Sequence, residues 1–118
     1  DQEGDPYVRG RRRQMAAEEV MGVLDRIASA RVLVHSDRVA VALAYNGPED
    51  LPRVVARGEG EAVVQLRQLA LQQGVAIVQN IGTAQRLYRE VALDRYIERG
   101  LFAEVAEILR GLDAAEQA

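Results

Sequence analysis

The chain has 118 residues, the size of one ordinary domain, and its 48% hydrophobic and 28% charged content excludes wholesale disorder. No cysteine and a single histidine exclude disulfides, thiolate metal sites and most imidazole-based catalytic metal centres. A net charge of -3, with 4% aromatic residues and no tryptophan, argues against nucleic-acid binding by bulk charge or base stacking, and no run approaches the roughly 20 apolar residues of a membrane span.

Asp1 to Tyr7 is polar, holds Gly4 and Pro6, and reads as a flexible lead at the cut end of a longer chain. Asp5 can cap a helix with Pro6 at its first position. Arg9, Arg11, Arg12 and Arg13 charge the first half of this helix all round, so that half is expected to project. Ala16, Val20, Val23, Leu24 and Ile27 recur at helical spacing and give the second half an apolar stripe. Residues 1–30 therefore read as a linker or stalk helix, and residues 31–118 as a compact domain.

Within that domain, Arg31 to Val34 predicts a buried strand, and His35-Ser36-Asp37-Arg38 a polar turn. Val39 to Tyr45 predicts a second strand, closed by the turn signal Asn46-Gly47-Pro48. Arg53 to Ala56 is a short strand after Pro52. Gly58 and Gly60 break the chain before a helix from Glu61 to Gln73, which carries Val63, Val64, Leu66, Leu69 and Ala70 and ends at Gly74. Val75 to Val78 predicts a buried strand. Thr83 caps a short helix through Tyr88 to Val91. A last helix runs from Ile97 or Leu101 to Leu112, and Asp113 to Ala118 is expected to fray. The order implies an α/β fold: a small mixed sheet of about four strands surrounded by about four helices, with a protruding N-terminal helix and a parallel crossover between the third and fourth strands.

Few residues invite a chemical reading. His35, Ser36 and Asp37 contain the side chains of a catalytic triad, but adjacent residues in one turn do not converge as a triad requires. An autoproteolytic or hydrolytic domain using Ser36 and His35 is the alternative this leaves. Gly58 and Gly60 before a helix lack the Lys-Ser/Thr element of a phosphate loop. Glu104 and Glu107 share a helix side and read as a solvated face. The arginine run suits a solvated face, an acidic partner or anionic lipid headgroups. No catalytic residue, metal site or cofactor is assigned.

Read as an ordered string, the chain says more. Glu3-Gly4-Asp5-Pro6-Tyr7-Val8-Arg9-Gly10-Arg11 resembles the segment just outside the last membrane helix of the FlhB/SctU family, the export-gate switch proteins of flagellar and virulence type III secretion. Val39-Ala40-Val41-Ala42-Leu43-Ala44-Tyr45 resembles that family's strand after its self-cleavage loop. Pro52-Arg53-Val54-Val55-Ala56-Arg57-Gly58 is similar to its P-x-V-x-A-K/R-G stretch, and Gly74-Val75-Ala76-Ile77-Val78-Gln79-Asn80 to its G-V-P-I-V-E-N stretch. Leu87-Tyr88 and Val105-Ala106-Glu107-Ile108-Leu109 complete the match.

The resemblance implies the cytoplasmic domain of an inner-membrane export-gate protein, one that docks export substrates and changes which class is exported. The implied partners are other export-gate subunits, secretion substrates with their chaperones, and a length-control protein. Arg9, Arg11, Arg12 and Arg13 would be placed for partner or lipid contact, with no role for nucleic acid. The chain departs from the family at one place. The family cuts itself at an Asn-Pro-Thr-His loop, where the asparagine side chain attacks its own carbonyl and the chain breaks before proline. Here His35, Ser36, Asp37 and Arg38 stand at those four positions. With no asparagine to cyclise, the chain is expected not to cleave itself.

Overall fold

The computed structural model of the chain describes residues 17–117. The expected Asp5 cap, the arginine run and the projecting first half of the leading helix lie outside those residues. The described elements are α1 (Ala17–Ala28), β1 (Val32–His35), β2 (Val39–Ala44), β3 (Arg53–Glu59), α2 (Glu61–Gln72), β4 (Ala76–Gln79), α3 (Ile81–Glu90) and α4 (Arg99–Gln117). The fold is a mixed α/β sandwich. Its four strands lie in the order β3-β2-β1-β4, antiparallel from β3 to β1 and parallel between β1 and β4.

Helices cover both sheet faces, which is why the two middle strands read as continuous apolar runs rather than alternating ones. On one face, Val32, Val34, Val41, Leu43 and Val54 pack against Ala84 and Leu87 of α3 and Leu101, Val105 and Leu109 of α4. On the other, Leu33, Ala40, Ala42, Val55 and Ala56 pack against Ile27 of α1 and Val63, Leu66 and Ala70 of α2. The i, i+3, i+7 spacing in α2 and the i, i+4, i+8 spacing in α4 make these stripes. Gly74 ends α2 as the spacing predicts. Its φ of 71° lets its amide reach Leu71 O while the Val75 amide reaches Ala70 O, the paired closure that a left-handed residue permits.

The crossover through α2 joins strands of the same direction, as expected, with β4 paired to β1 at the far edge. Several other sequence expectations need correction. β3 runs on through Gly58 to Glu59, beyond the predicted end at Ala56. β4 is half-buried at Ala76, Ile77 and Val78, where a buried strand was expected, because it forms the sheet edge. Asn80, not Thr83, caps α3: its Oδ1 accepts the Thr83 amide at 3.1 Å. The predicted frayed tail is helical to Gln117, where Asp113 and Glu116 meet Arg31 at 2.8 and 3.2 Å. Glu104 is not merely solvated. It accepts from the Thr83 hydroxyl at 2.9 Å and pairs with Arg86, latching α4 to α3.

The outer edge of β3 is closed at its start. The Val54 amide donates to Arg95 O, the Asp94 amide donates to Val54 O, and Arg53 bridges to Tyr96. Val55 is an extra residue in the β2–β3 register, a bulge, and its carbonyl accepts from Arg26 Nη1 at 3.1 Å. The same guanidinium holds Asp94 at 2.7 Å, and Arg53 reaches that carboxylate at 3.2 Å. Asp94 has a φ of 69°, uncommon outside glycine but tolerated by Asp and Asn. The bond from Arg26 is the largest cause that holds its carboxyl below the usual range, with the Arg26 and Arg53 charges behind it. A lowered folded-state pKa contributes stability above the unfolded value near 4, and that stability fades as pH falls through the folded value. The stability lost in Asp94→Asn is therefore expected to be largest at neutral pH and to vanish in acid below the folded value. Urea midpoints of parent and variant compared down the pH scale check this; a constant difference would contradict it.

Candidate functional site

The β1–β2 turn is where the sequence departs from the resemblance, and the structure closes it tightly. His35 ends β1 and is 8% exposed; Ser36 is 1% exposed. The Ser36 amide donates to Val39 O at 2.8 Å. Its Oγ accepts the amides of Arg38 and Val39, each at 3.1 Å, the side-chain turn that serine favours. His35 Nδ1 donates to Ser36 O at 3.0 Å; because a carbonyl only accepts, this bond selects the tautomer with hydrogen on Nδ1. The His35 carbonyl accepts the Asn80 amide, and the Arg38 carbonyl accepts the Gly60 amide, both at 3.0 Å. The turn is thus held between the starts of α2 and α3.

This geometry decides what the turn can do chemically. A serine nucleophile needs a base at its hydroxyl, but the imidazole nitrogen near Ser36 faces the carbonyl of Ser36 instead. Asp37 and Arg38 are exposed and form no ion pair with each other among the described residues. No cluster of metal-ligating side chains occurs among the described residues. A shallow cleft of about 370 Å³ beside the turn is lined by Asp37, Arg38, Val39, Glu59 and Gly60, open and without converging reactive groups.

Glu59 of this cleft belongs to a cluster with Arg57 and Tyr88 that the sequence does not assign to a site. Arg57 lies 4.0 Å over the Tyr88 ring and donates through Nη2 to Tyr88 O at 2.5 Å. Tyr88 donates to Glu59 at 3.0 Å; burial first, then that bond, raises its pKa, so the phenol stays neutral. Arg57 stands opposite Val41, and Glu59 opposite Val39, so the period of two puts both side chains on the α3 face of the sheet. Spacing in β3 signals that shared face, but not the tyrosine that meets them. Of the predicted site residues, the structure brings His35, Ser36, Asp37 and Arg38 into one turn. Arg9, Arg11, Arg12 and Arg13 lie outside the described residues. No described helix is long and apolar enough to cross a membrane.

Residues 1–112 match the family model described as the FlhB HrpN YscU SpaS Family. The chain is 34% identical over 112 residues to the flagellar biosynthetic protein FlhB of Yersinia enterocolitica, covering 92% of this chain and 29% of that protein. It is 37% identical over 112 residues to the hypersensitivity response secretion protein HrcU of Ralstonia nicotianae, covering 91% of this chain and 31% of that one. The chain thus spans under a third of the length of these relatives. Among solved structures it resembles the cytoplasmic domain of FlhB from Shewanella putrefaciens, with a TM-score of 0.70 and 30% identity over 75% of this chain and 69% of that one. An EscU C-terminal domain gives a TM-score of 0.74 at 25% identity over 82% of this chain and 93% of that one. A family model matched over nearly the whole chain, and relatives above 30% identity across most of it, establish that this protein belongs to the FlhB HrpN YscU SpaS family.

Proposed function

We propose that this chain is the cytoplasmic domain of an inner-membrane type III secretion export-gate protein, which works by contact and remains one uncut polypeptide. Membership of a family whose members include flagellar and hypersensitivity-response secretion proteins supports the setting. The partners are other export-gate subunits, secretion substrates with their chaperones, and a length-control protein. Arg9, Arg11, Arg12 and Arg13 supply positive charge suited to acidic partners or anionic lipid.

The observation that carries the uncut reading is the turn at 35–38. A cut before residue 36 by asparagine cyclisation needs a side-chain amide at residue 35, where this chain has an imidazole. A cut through Ser36 needs Oγ to attack the His35 carbonyl, but that oxygen is engaged by two backbone amides and the neighbouring imidazole Nδ1 is turned to the Ser36 carbonyl, not to the hydroxyl. Substrate switching in this protein then proceeds through an intact turn. Intact-mass measurement after prolonged incubation is expected to give one species of full mass; two fragments summing to the whole, lost in Ser36→Ala, would establish the autoproteolytic alternative. The export role is tested by placing residues 1–118 in the full-length protein of a secretion strain lacking that domain. Restored export of at least one substrate class is expected, and no export despite normal protein levels would overturn it.

A further inference from the structure

The β4 edge leaves backbone groups without a partner among the described residues. The Asn80 amide bonds to the His35 carbonyl with His35 opposite Gln79, and this sets the phase of the parallel ladder. Ala76 and Val78 turn their backbone groups to β1; Ile77 and Gln79 turn theirs outward. No described residue takes up those outward groups. The opposite edge is closed by residues 94–96 at its Arg53–Val54 end, and further along it carries the charged residues Arg57 and Glu59.

Natural sheets protect a bare edge with charges or proline. Among the described residues β4 has its short length but neither of those: in a chain that is 28% charged, Gln68 to Gln85 carries no charged residue and no proline. The stretch that resembles G-V-P-I-V-E-N has Ala76 and Gln79 at its proline and glutamate positions. Apolar surface continues from the strand at both ends. Ile81 is 52% exposed beyond it, and Leu71 is 74% exposed before it. Leu71 lines a cleft of about 530 Å³ with Ala30, Val75 and Ala76, rimmed by the Arg31–Glu116 ion pair.

We propose that the free edge of β4 takes up an extended, uncharged stretch of a secreted polypeptide as an added strand, with one apolar side chain set into the Leu71 cleft. Resting on the export reading above, this gives it a mode of substrate engagement. Backbone pairing reads the chain and not its side chains, so one edge serves many unfolded sequences, while the cleft selects the alternate residue. The absence of charge along 68–85 matches a neutral segment. Back-to-back pairing of two copies is the weaker occupant. A strand of four residues is about 13 Å long, too short for its edge to approach the roughly 1,200 Å² of a stable dimer.

The test is a titration of the isotope-labelled chain by NMR. The probe is a short peptide of alternating valine and serine, capped at both ends, and the control is the same peptide N-methylated along one edge. The Ile77 and Gln79 amide signals are expected to shift, and their hydrogen exchange to slow about tenfold at saturation. The N-methylated peptide is expected to leave them unmoved. Leu71→Glu and Gln79→Glu, both at exposed positions, are expected to weaken binding about fivefold or more without changing the thermal midpoint. No shift at β4, equal shifts with the N-methylated peptide, or shifts confined to another surface would overturn the proposal. So would movement of Ile77 and Gln79 with protein concentration alone, which assigns the edge to a second copy. Because the titration needs no secretion, its failure removes this docking mode and leaves the export role to complementation.

Discussion

Gly58→Val is expected to destabilise the chain by about 3 kcal/mol, and Gly58→Ala by about 1 kcal/mol. A Cβ at this position would stand 2.8 Å from Ala62 Cβ and 3.0 Å from Leu66 Cδ1, closer than real side chains approach, so α2 would have to lift from β3. Alanine recovers part of the loss because it restricts the unfolded chain more than glycine does; valine adds two further methyl groups to the same contact. Urea unfolding measures both variants, and a Gly58→Val chain as stable as the parent would show that the close approach is not required. Ala62→Gly supplies a second reading. Alone it weakens the helix by about 1 kcal/mol, but combined with Gly58→Ala it removes the nearer clash, so the two changes should cost less together than their sum. The contact also bears on the candidate site. Gly58 lies opposite Ala40, two residues before Gly60, whose amide holds the Arg38 carbonyl. A displaced α2 pulls one of the two backbone supports from the turn.

That glycine shows where the sequence was readable and where it was not. Taken as a breaker, Gly58 shortens the predicted strand to Ala56; in the folded chain it sits inside β3, because the reason for glycine is a helix across the sheet and not a turn. The middle strands were legible because burial on both faces leaves uninterrupted apolar runs, and Gly74 was legible because a helix ending depends on neighbours alone. What depends on distant partners was not. Asn80 and Thr83 are both good capping residues three positions apart, and only the fold makes one the acceptor of the other's amide. The tail reads as frayed until Arg31, far back in the chain, is found beside Asp113 and Glu116. Edge position hides in the same way. Val75 to Val78 has the composition of a core strand, and only the placement of β4 outside β1 exposes it. At the candidate site the four residues of the turn were legible as a polar break between two apolar runs. The direction of Ser36 Oγ, and the approach of Asn80 and Gly60 to the turn, follow from the packing of α2 and α3 against it.

Ser36→Pro is expected to cost about 2–4 kcal/mol, the sum of two supports lost at one residue. Proline has no amide to donate to Val39 O, a bond of 2.8 Å in the parent, and no hydroxyl to accept the Val39 and Arg38 amides. The Arg38 amide belongs to an exposed residue and can turn to water; the Val39 amide, at the half-buried start of β2, is the costly one to strand. Ser36→Thr keeps both the amide and the hydroxyl and is expected to stay within about 1 kcal/mol of the parent, which separates loss of the hydrogen bonds from any effect of added bulk. Denaturant midpoints order the three chains, and a Ser36→Pro chain matching the parent would mean the turn does not depend on these bonds. A proline-bearing turn would have to form without the bonds that close this one. In His35-Ser36-Asp37-Arg38 the buried serine supplies hydrogen bonds where proline would supply a conformational constraint. The bonds that close the turn all come from the chain's own backbone and from Ser36, so the turn's stability is set locally.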